Sequence, residues 1–379
     1  HDAAQAEKKG APVTSKSYVP PHLQIQANDV EEWASNSIIA RSRVAILLRT
    51  LVNSTGPDLT RVDFPGNDDA ERPGWDGYVE AIQGTPWIPA GASGWEFGVN
   101  VNIKQKADKD FAKSVRALSL DERKEITFVF VTPRRWNKKL AWVREQNEKA
   151  LWKDVRAYDS SDLEQWIEQS IAAQTWLANE TKRPSKGVRT LEKCWSDWAN
   201  VTTPPLIGKF FDSSVAQAKE GIGSHLAKKP VRPFVVTGDS IEEALAFLAQ
   251  LFGSEDLQHY RDRVLVFDEP GTLPKLATGL ASFIAVATSR EVERELGPLS
   301  RSMHTIAVYP RNAANADPNV VLQPLSFEEF RTSLEAMDYS RDEVGKLSSE
   351  SGQSLTVLRR RLAKVDAIHT PEWAYDHGT

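Results

Sequence analysis

The chain has 379 residues, 40% hydrophobic and 26% charged, with a net charge of −5. That is the composition of an ordinary globular protein with core enough for two or three domains, and its acidic balance argues against a general nucleic-acid coat. The single Cys194 excludes a disulfide framework and a cysteine-based zinc site and suits a reducing, cytoplasmic setting; no apolar run approaches the roughly 20 residues that cross a bilayer, so no membrane partner is expected.

Residues 1–27 begin at His1 with no initiator Met and read as a disordered leader, left by expression or processing. From Asn28 a helical pattern runs through Val30, Trp33, Ile38, Val44, Leu47, Leu48 and Leu51 and ends at Gly56-Pro57. Leu59–Phe64 is extended, and a polar loop carrying Asp68 and Asp69 follows. Gly77–Ile82 and Trp95–Val99 read as antiparallel strands around the Gly-rich turn Pro89–Gly94. Then come a helix over Ile103–Leu118, a buried strand over Glu125–Val131, a helix over Asn137–Ala150, a strand over Val155–Tyr158, and a helix over Asp159–Glu168 capped by Ser160 or Ser161. Antiparallel strands first and parallel crossovers later imply a mixed sheet flanked by helices.

Thr181–Arg189 reads as a hinge, opening a linker with connecting helices over 181–230. A second α/β pattern follows over 231–325, with strands at Pro233–Thr237, Arg263–Phe267, Ala281–Ala287 and Thr305–Val308 and a helix at Ile241–Phe252. From Ser326 to Thr379 the pattern is helical.

Asp76 at the start of one strand and Glu96 inside the next are the two carboxylates that phosphodiester chemistry requires to hold a divalent cation, Mg²⁺ or Mn²⁺. Lys106 or Lys104 supplies an amine if the following helix folds back over the hairpin. Glu80 shares the face of Asp76 and is a weaker candidate. Taken singly, an Asp-Gly is usually turn chemistry and a strand Glu usually a solvated side chain. The basic stretches Lys104–Lys113 and Arg134–Lys139 can carry phosphate contacts, whereas the many tryptophans of this half read as packing in preference to base stacking. The histidines show no ligand spacing, and Arg359–Arg361 reads as a solvated helical face.

The order of elements over 28–180, with Asp76 in GWDG, Glu96 in WEFG, Glu31 or Glu32 on the first helix and VRAYDSSDLEQWI at the close, resembles the PD-(D/E)XK restriction-endonuclease-like superfamily, particularly its Mrr-like branch. The resemblance implies a metal-dependent DNA endonuclease in which Asp76 and Glu96 bind the metal and Glu32 is an outer acid. Gly98 stands where the E-x-K lysine belongs, so the resemblance implies a lysine moved to the next helix, Lys106 or Lys104.

PFVVTGDSIEEALAFLAQLF, RVLVFDEPG with Asp268-Glu269, and SFIAVATSRE with Thr288 or Ser289 resemble the P-loop NTPases of STAND and AAA+ type, with a helical lid after Ser326. The G-x-x-x-x-G-K-[ST] loop is missing: Gly238–Glu243 presents Asp239, Glu242 and Glu243 where a triphosphate would need amides and a lysine, so ATP is not expected to bind. Such fusions resemble bacterial anti-phage or restriction effectors, which implies a homo-oligomer or a defence-system partner protein. The alternative is an inactive nuclease fold acting as a scaffold for nucleic acid or a partner. DNA and RNA remain open as substrates at this stage.

Overall fold

The computed structural model describes residues 24–36, 39–65, 74–183, 187–277, 283–314 and 317–363; Asp68, Asp69, residues 1–23 of the expected leader and residues 364–379 lie outside them. These residues form two mixed sheets flanked by helices, an α/β architecture.

The first half runs α1 (Ala27–Asn36), α2 (Ala40–Thr55), β1 (Leu59–Asp63), β2 (Gly77–Ala81), β3 (Gly91–Phe97), α3 (Ile103–Ala117), α4 (Leu120–Glu125), β4 (Ile126–Val131), α5 (Lys139–Glu148), β5 (Asp154–Tyr158), α6 (Ser160–Ile167) and α7 (Ile171–Glu180). Its sheet has the order β1-β2-β3-β4-β5, antiparallel in the first two pairings and parallel in the last two. Two differences from the sequence reading matter. The long first helix is two, because α1 and α2 bury Val30, Trp33, Val44, Leu47 and Leu51 in one core and the hydrophobic period carries across the break. The glycine-rich stretch read as a turn is the first half of β3, paired with β2 on one side and β4 on the other. Gly94 lies under the indole of Trp75, and a Cβ there would come within 2.4 Å of it; the glycine marks a close approach, not a turn. Asp159, not Ser160 or Ser161, caps α6, accepting from the Asp162 amide.

The second half runs β6 (Val188–Thr190), α8 (Leu191–Ala199), a 3-10 turn (Gly208–Phe211), α9 (Asp212–Ala227), β7 (Phe234–Gly238), α10 (Ile241–Leu251), α11 (Gln258–Arg261), β8 (Val264–Phe267), α12 (Leu273–Leu276), β9 (Ile284–Ala287), α13 (Arg290–Leu299), β10 (Thr305–Pro310), β11 (Val320–Val321), α14 (Phe327–Glu335), α15 (Arg341–Ser351) and α16 (Leu355–Leu362). The sheet order is β11-β7-β10-β9-β8-β6, parallel throughout except for β6. The connecting helices expected over 181–230 are present as α8 and α9, but the described residues from Gly187 on are packed, not a linker. β6 forms the sheet edge, and Cys194, Trp198, Phe211 and Ile222 fill the same core as Val236 and Phe247.

Nor does a free hinge separate the halves. Helix α7 places Ala173, Trp176 and Leu177 in the first core and Ile171, Ala172 and Ala178 in the second. Across the same junction Arg49 of α2 grips Asp262 at 2.9 and 3.2 Å, and Asn53 donates to that carboxylate at 2.9 Å. The Asp262 side chain is 6% exposed, and its two neighbouring guanidiniums, Arg49 and Arg261, hold it below the usual carboxylate range against the cost of desolvation. Among the described residues no helix is long and apolar enough to cross a membrane.

Candidate active site

The antiparallel register of β2 and β3 pairs Gly77 with Trp95. Continued by one residue it sets Asp76 opposite Glu96, a relation that brings Cβ atoms to about 5 Å. Asp76 is fixed there by its Oδ2, which accepts from the Phe97 amide at 3.1 Å. Glu96 is 1% exposed. Its Oε1 accepts from Lys113 Nζ at 3.1 Å and Ser114 Oγ at 3.2 Å, while its Oε2 is buried with no hydrogen-bond partner. Burial pushes the Glu96 carboxyl up to about 8, with the charge of Asp76 and then that of Asp110 acting in the same sense and Lys113 opposing them.

Helix α3 closes over this end of β3. Asn102 caps it, and Lys106, Asp110 and Lys113 follow at i, i+4 and i+7, one face of the helix. Lys106 straddles the Asp110 carboxylate, at 2.9 Å from Oδ1 in hydrogen-bonding geometry and 2.7 Å from Oδ2 outside it. Asp110 is itself buried, which raises its carboxyl despite Lys106. The stem of Lys106 lies over Gly98: a Cβ on residue 98 would come within 2.8 Å of its Cε and 2.9 Å of its Cγ. The helix lysine thus fills the space into which a side chain at 98 would project.

Of the expected residues, Asp76, Glu96 and Lys106 lie at this end of the hairpin. Lys104 lies on another face of α3, paired with Asp108 at 2.7 Å in largely exposed surroundings. Glu80 is four residues up β2, about 13 Å along the strand, opposite Ala92 and Arg61. Glu31 accepts from Ser160 Oγ at 3.0 Å and pairs with Arg135 at 3.4 Å, and Glu32 lines a surface cleft with Asn36 and Lys182; neither touches the hairpin acids. Asp110 and Lys113 were passed over as site residues. Their spacing from Lys106 was the available signal, hidden because a charged helix stripe usually faces water. The tryptophans pack: Trp95, Trp142 and Trp166 are fully buried, and Trp75 lies against Phe128 and Trp152.

An unpartnered buried carboxylate oxygen among further acids is a cation-binding chemistry. Among the described residues no three His, Cys, Asp or Glu side chains converge on a metal position. A cation here would rest on two carboxylates and other oxygens, which is the arrangement Mg²⁺ accepts when it keeps several waters.

The β7–α10 turn is built differently. Asp239 pairs with Arg311 at 2.8 Å and accepts from Ser354 Oγ at 2.9 Å. Ser240 caps α10, and the buried Glu243 accepts from Thr356 Oγ1 at 2.5 Å. Ser354 and Thr356 belong to the start of α16, so the tail helix sits on the turn. It is anchored further by Arg359, which donates to the Trp198 and Asp197 carbonyls; that residue is not a solvated face. Asp268 stands at the end of β8, three strand spacings or about 14 Å from β7. It is bound by Arg189 at 2.6 and 2.8 Å and by Thr288 Oγ1 at 3.2 Å. Ser289 caps α13. Asp268, Thr288 and Ser289 thus have structural partners, and Asp268 is far from the β7 turn.

In comparisons with known proteins, no family model matches this sequence, and no curated protein matches it.

Proposed function

We propose that the chain is a metal-dependent DNA endonuclease whose first half has the restriction-endonuclease-like fold and whose second half is a P-loop-NTPase-like module that no longer takes ATP. The observation that carries the reading is Glu96: a carboxylate buried at a strand end, opposite Asp76, with one oxygen unpartnered and the other bonded by Lys113 of α3. The mixed order of the first sheet and the placement of Lys106 over Gly98 support the same assignment.

Asp76 and Glu96 would hold Mg²⁺ or Mn²⁺, which when bound supplies an activated water and stabilises charge on the phosphorane. Lys106, released from Asp110, supplies the ammonium that the E-x-K pattern would place at 98, and it orients the water or neutralises a phosphate oxygen. Lys109 and Arg116, exposed on α3, extend the positive surface along which a DNA backbone would lie. The second half carries regulation or assembly, as in an anti-phage or restriction-type effector acting as a homo-oligomer or with a partner protein.

The test is plasmid nicking in Mg²⁺ or Mn²⁺ by the full chain and by its Asp76→Ala and Glu96→Ala variants. Nicking that both substitutions abolish supports the proposal. A folded wild-type chain that leaves DNA intact, with RNA assayed alongside, removes DNA cleavage. The inactive scaffold then takes its place, a reading favoured by the engagement of both Lys106 and Lys113 in ion pairs.

A further inference from the structure

Lys113 is held in a way that ordinary surface pairing does not explain. Its side chain is 46% exposed, yet its ammonium turns inward to a carboxylate that is 1% exposed. It bonds Glu96 Oε1 at 3.1 Å and the Gly74 carbonyl at 3.0 Å. Gly74 lies two residues before Asp76, with a φ of +118° that a side chain would strain, so the backbone oxygen is aimed by a conformation that suits glycine. One positive charge therefore sits between an acid on β3 and a carbonyl on the approach to β2, beside a carboxylate on which Asp76 and Asp110 also act with negative charge. Two oxygens about 3 Å from a cationic nitrogen are hard ligands gathered around a cation. The group that gathers them belongs to the chain.

We propose that the Lys113 ammonium is an internal counter-ion that occupies the cation position of this site, and that a divalent cation binds by displacing it outward into solvent. The inference rests on Asp76 and Glu96 being the cation ligands. Asp76, Glu96 and Asp110 lie close enough to act on one another electrostatically, with Lys113 paired to Glu96 and Lys106 to Asp110. Burying the three acids without compensation would be costly, so the lysines keep the metal-free pocket foldable. Lys106 is 22% exposed and fixed by its stem over Gly98, whereas the half-exposed Lys113 has solvent to swing into. The lysine that blocks and the lysine that assists are thereby different residues, about two turns apart on the same helix face.

The experiment is a calorimetric titration of Mn²⁺ into the full chain and its Lys113→Met, Lys113→Arg and Glu96→Gln variants, at pH 8.5 to limit the proton that Glu96 holds more tightly once Lys113 is gone. Lys113→Met is expected to bind Mn²⁺ on the order of tenfold more tightly than wild type, because a charge competing with the cation is removed. Lys113→Arg should bind no more tightly than wild type, and Glu96→Gln should bind more weakly. Unchanged or weaker binding by Lys113→Met, with wild type still binding through Glu96, overturns the counter-ion and leaves the two-carboxylate site standing. Tighter binding by Lys113→Arg as well overturns it too, since the effect would not be one of charge. No binding by any cooperatively melting chain overturns both. If the Met variant does not melt cooperatively, Lys113→Gln is titrated under the same criteria.

Discussion

Glu96 on β3 and Glu243 on α10 are both carboxylates buried beside a strand–turn–helix junction, and burial pushes both up, to about 8 and about 7. Their neighbours separate them. Around Glu243 the carboxylates are matched by fixed partners: Thr356 donates to Glu243, Ser240 contacts Thr356 at 3.0 Å, and Asp239 takes Arg311 and Ser354. Around Glu96 the compensation comes from a lysine with a solvent-facing stem, and one oxygen is left over. A buried acid whose partners are short hydroxyls on a docked helix is part of the framework. One whose partner is a long, half-exposed ammonium is able to exchange that partner.

The sharpest separation is catalytic. Glu96→Gln is expected to lower nicking by at least a hundredfold, while Glu243→Gln leaves it within about threefold, as site electrostatics contribute at roughly that scale and a framework acid does not. Equal loss in both, in chains that melt normally, would break the comparison. Lys106→Ala should cost on the order of a hundredfold, and the double change Gly98→Lys with Lys106→Ala should restore much of it by returning the amine to the strand. Gly98 has no positive φ to forbid a side chain, and removing the Lys106 stem leaves the Asn100 Oδ1, 3.1 Å from the new Cβ, as the nearest atom to give way. A double variant as inactive as Lys106→Ala would show that the two positions are not equivalent.

Stability tests the other side. Asp262→Ala should destabilise by about 2–4 kcal/mol, leaving the partly covered Arg49 and Arg261 without their shared partner, read by urea unfolding. Thr356→Val should cost about 1–3 kcal/mol by stranding Glu243, with nicking unchanged. Smallest is the pH effect. Both carboxyls hold protons in the folded state that the unfolded chain releases near pH 4.5, so stability falls as pH rises from there through about 7 for Glu243 and about 8 for Glu96. Glu243→Gln should flatten the decline below pH 7, and Glu96→Gln the part reaching pH 8. Melting curves at pH 5, 7 and 9 that decline equally in all three chains would remove the assignment.

The element order of the first half, the strands of both sheets other than β6 and β11, and the pairing of Asp76 with Glu96 were legible because they follow from local pattern: period 2 or 3.6, caps, and a hairpin joining near neighbours. Three misreadings share one cause. Pro89–Gly94 as a turn, 181–230 as a linker and Arg359 as solvated each depended on which distant surface lies against the segment. Glycine under an indole looks in sequence like glycine in a turn. The strand order β7-β10-β9-β8, not the motif, separates Asp268 from the loop.

The same division runs through the site. By itself the sequence determined two carboxylates on adjacent strands, a lysine-bearing helix after them, and an empty place at residue 98, since these are matters of residue type and short spacing. Tertiary structure alone decided that Lys106 fills the empty place, that Lys104 faces elsewhere, and that Asp110 and Lys113 join the pocket. The physical reason is the rotation of α3 about its axis, which packing of Ala107 and Phe111 against the sheet fixes and which selects one stripe of an evenly charged helix to meet Glu96.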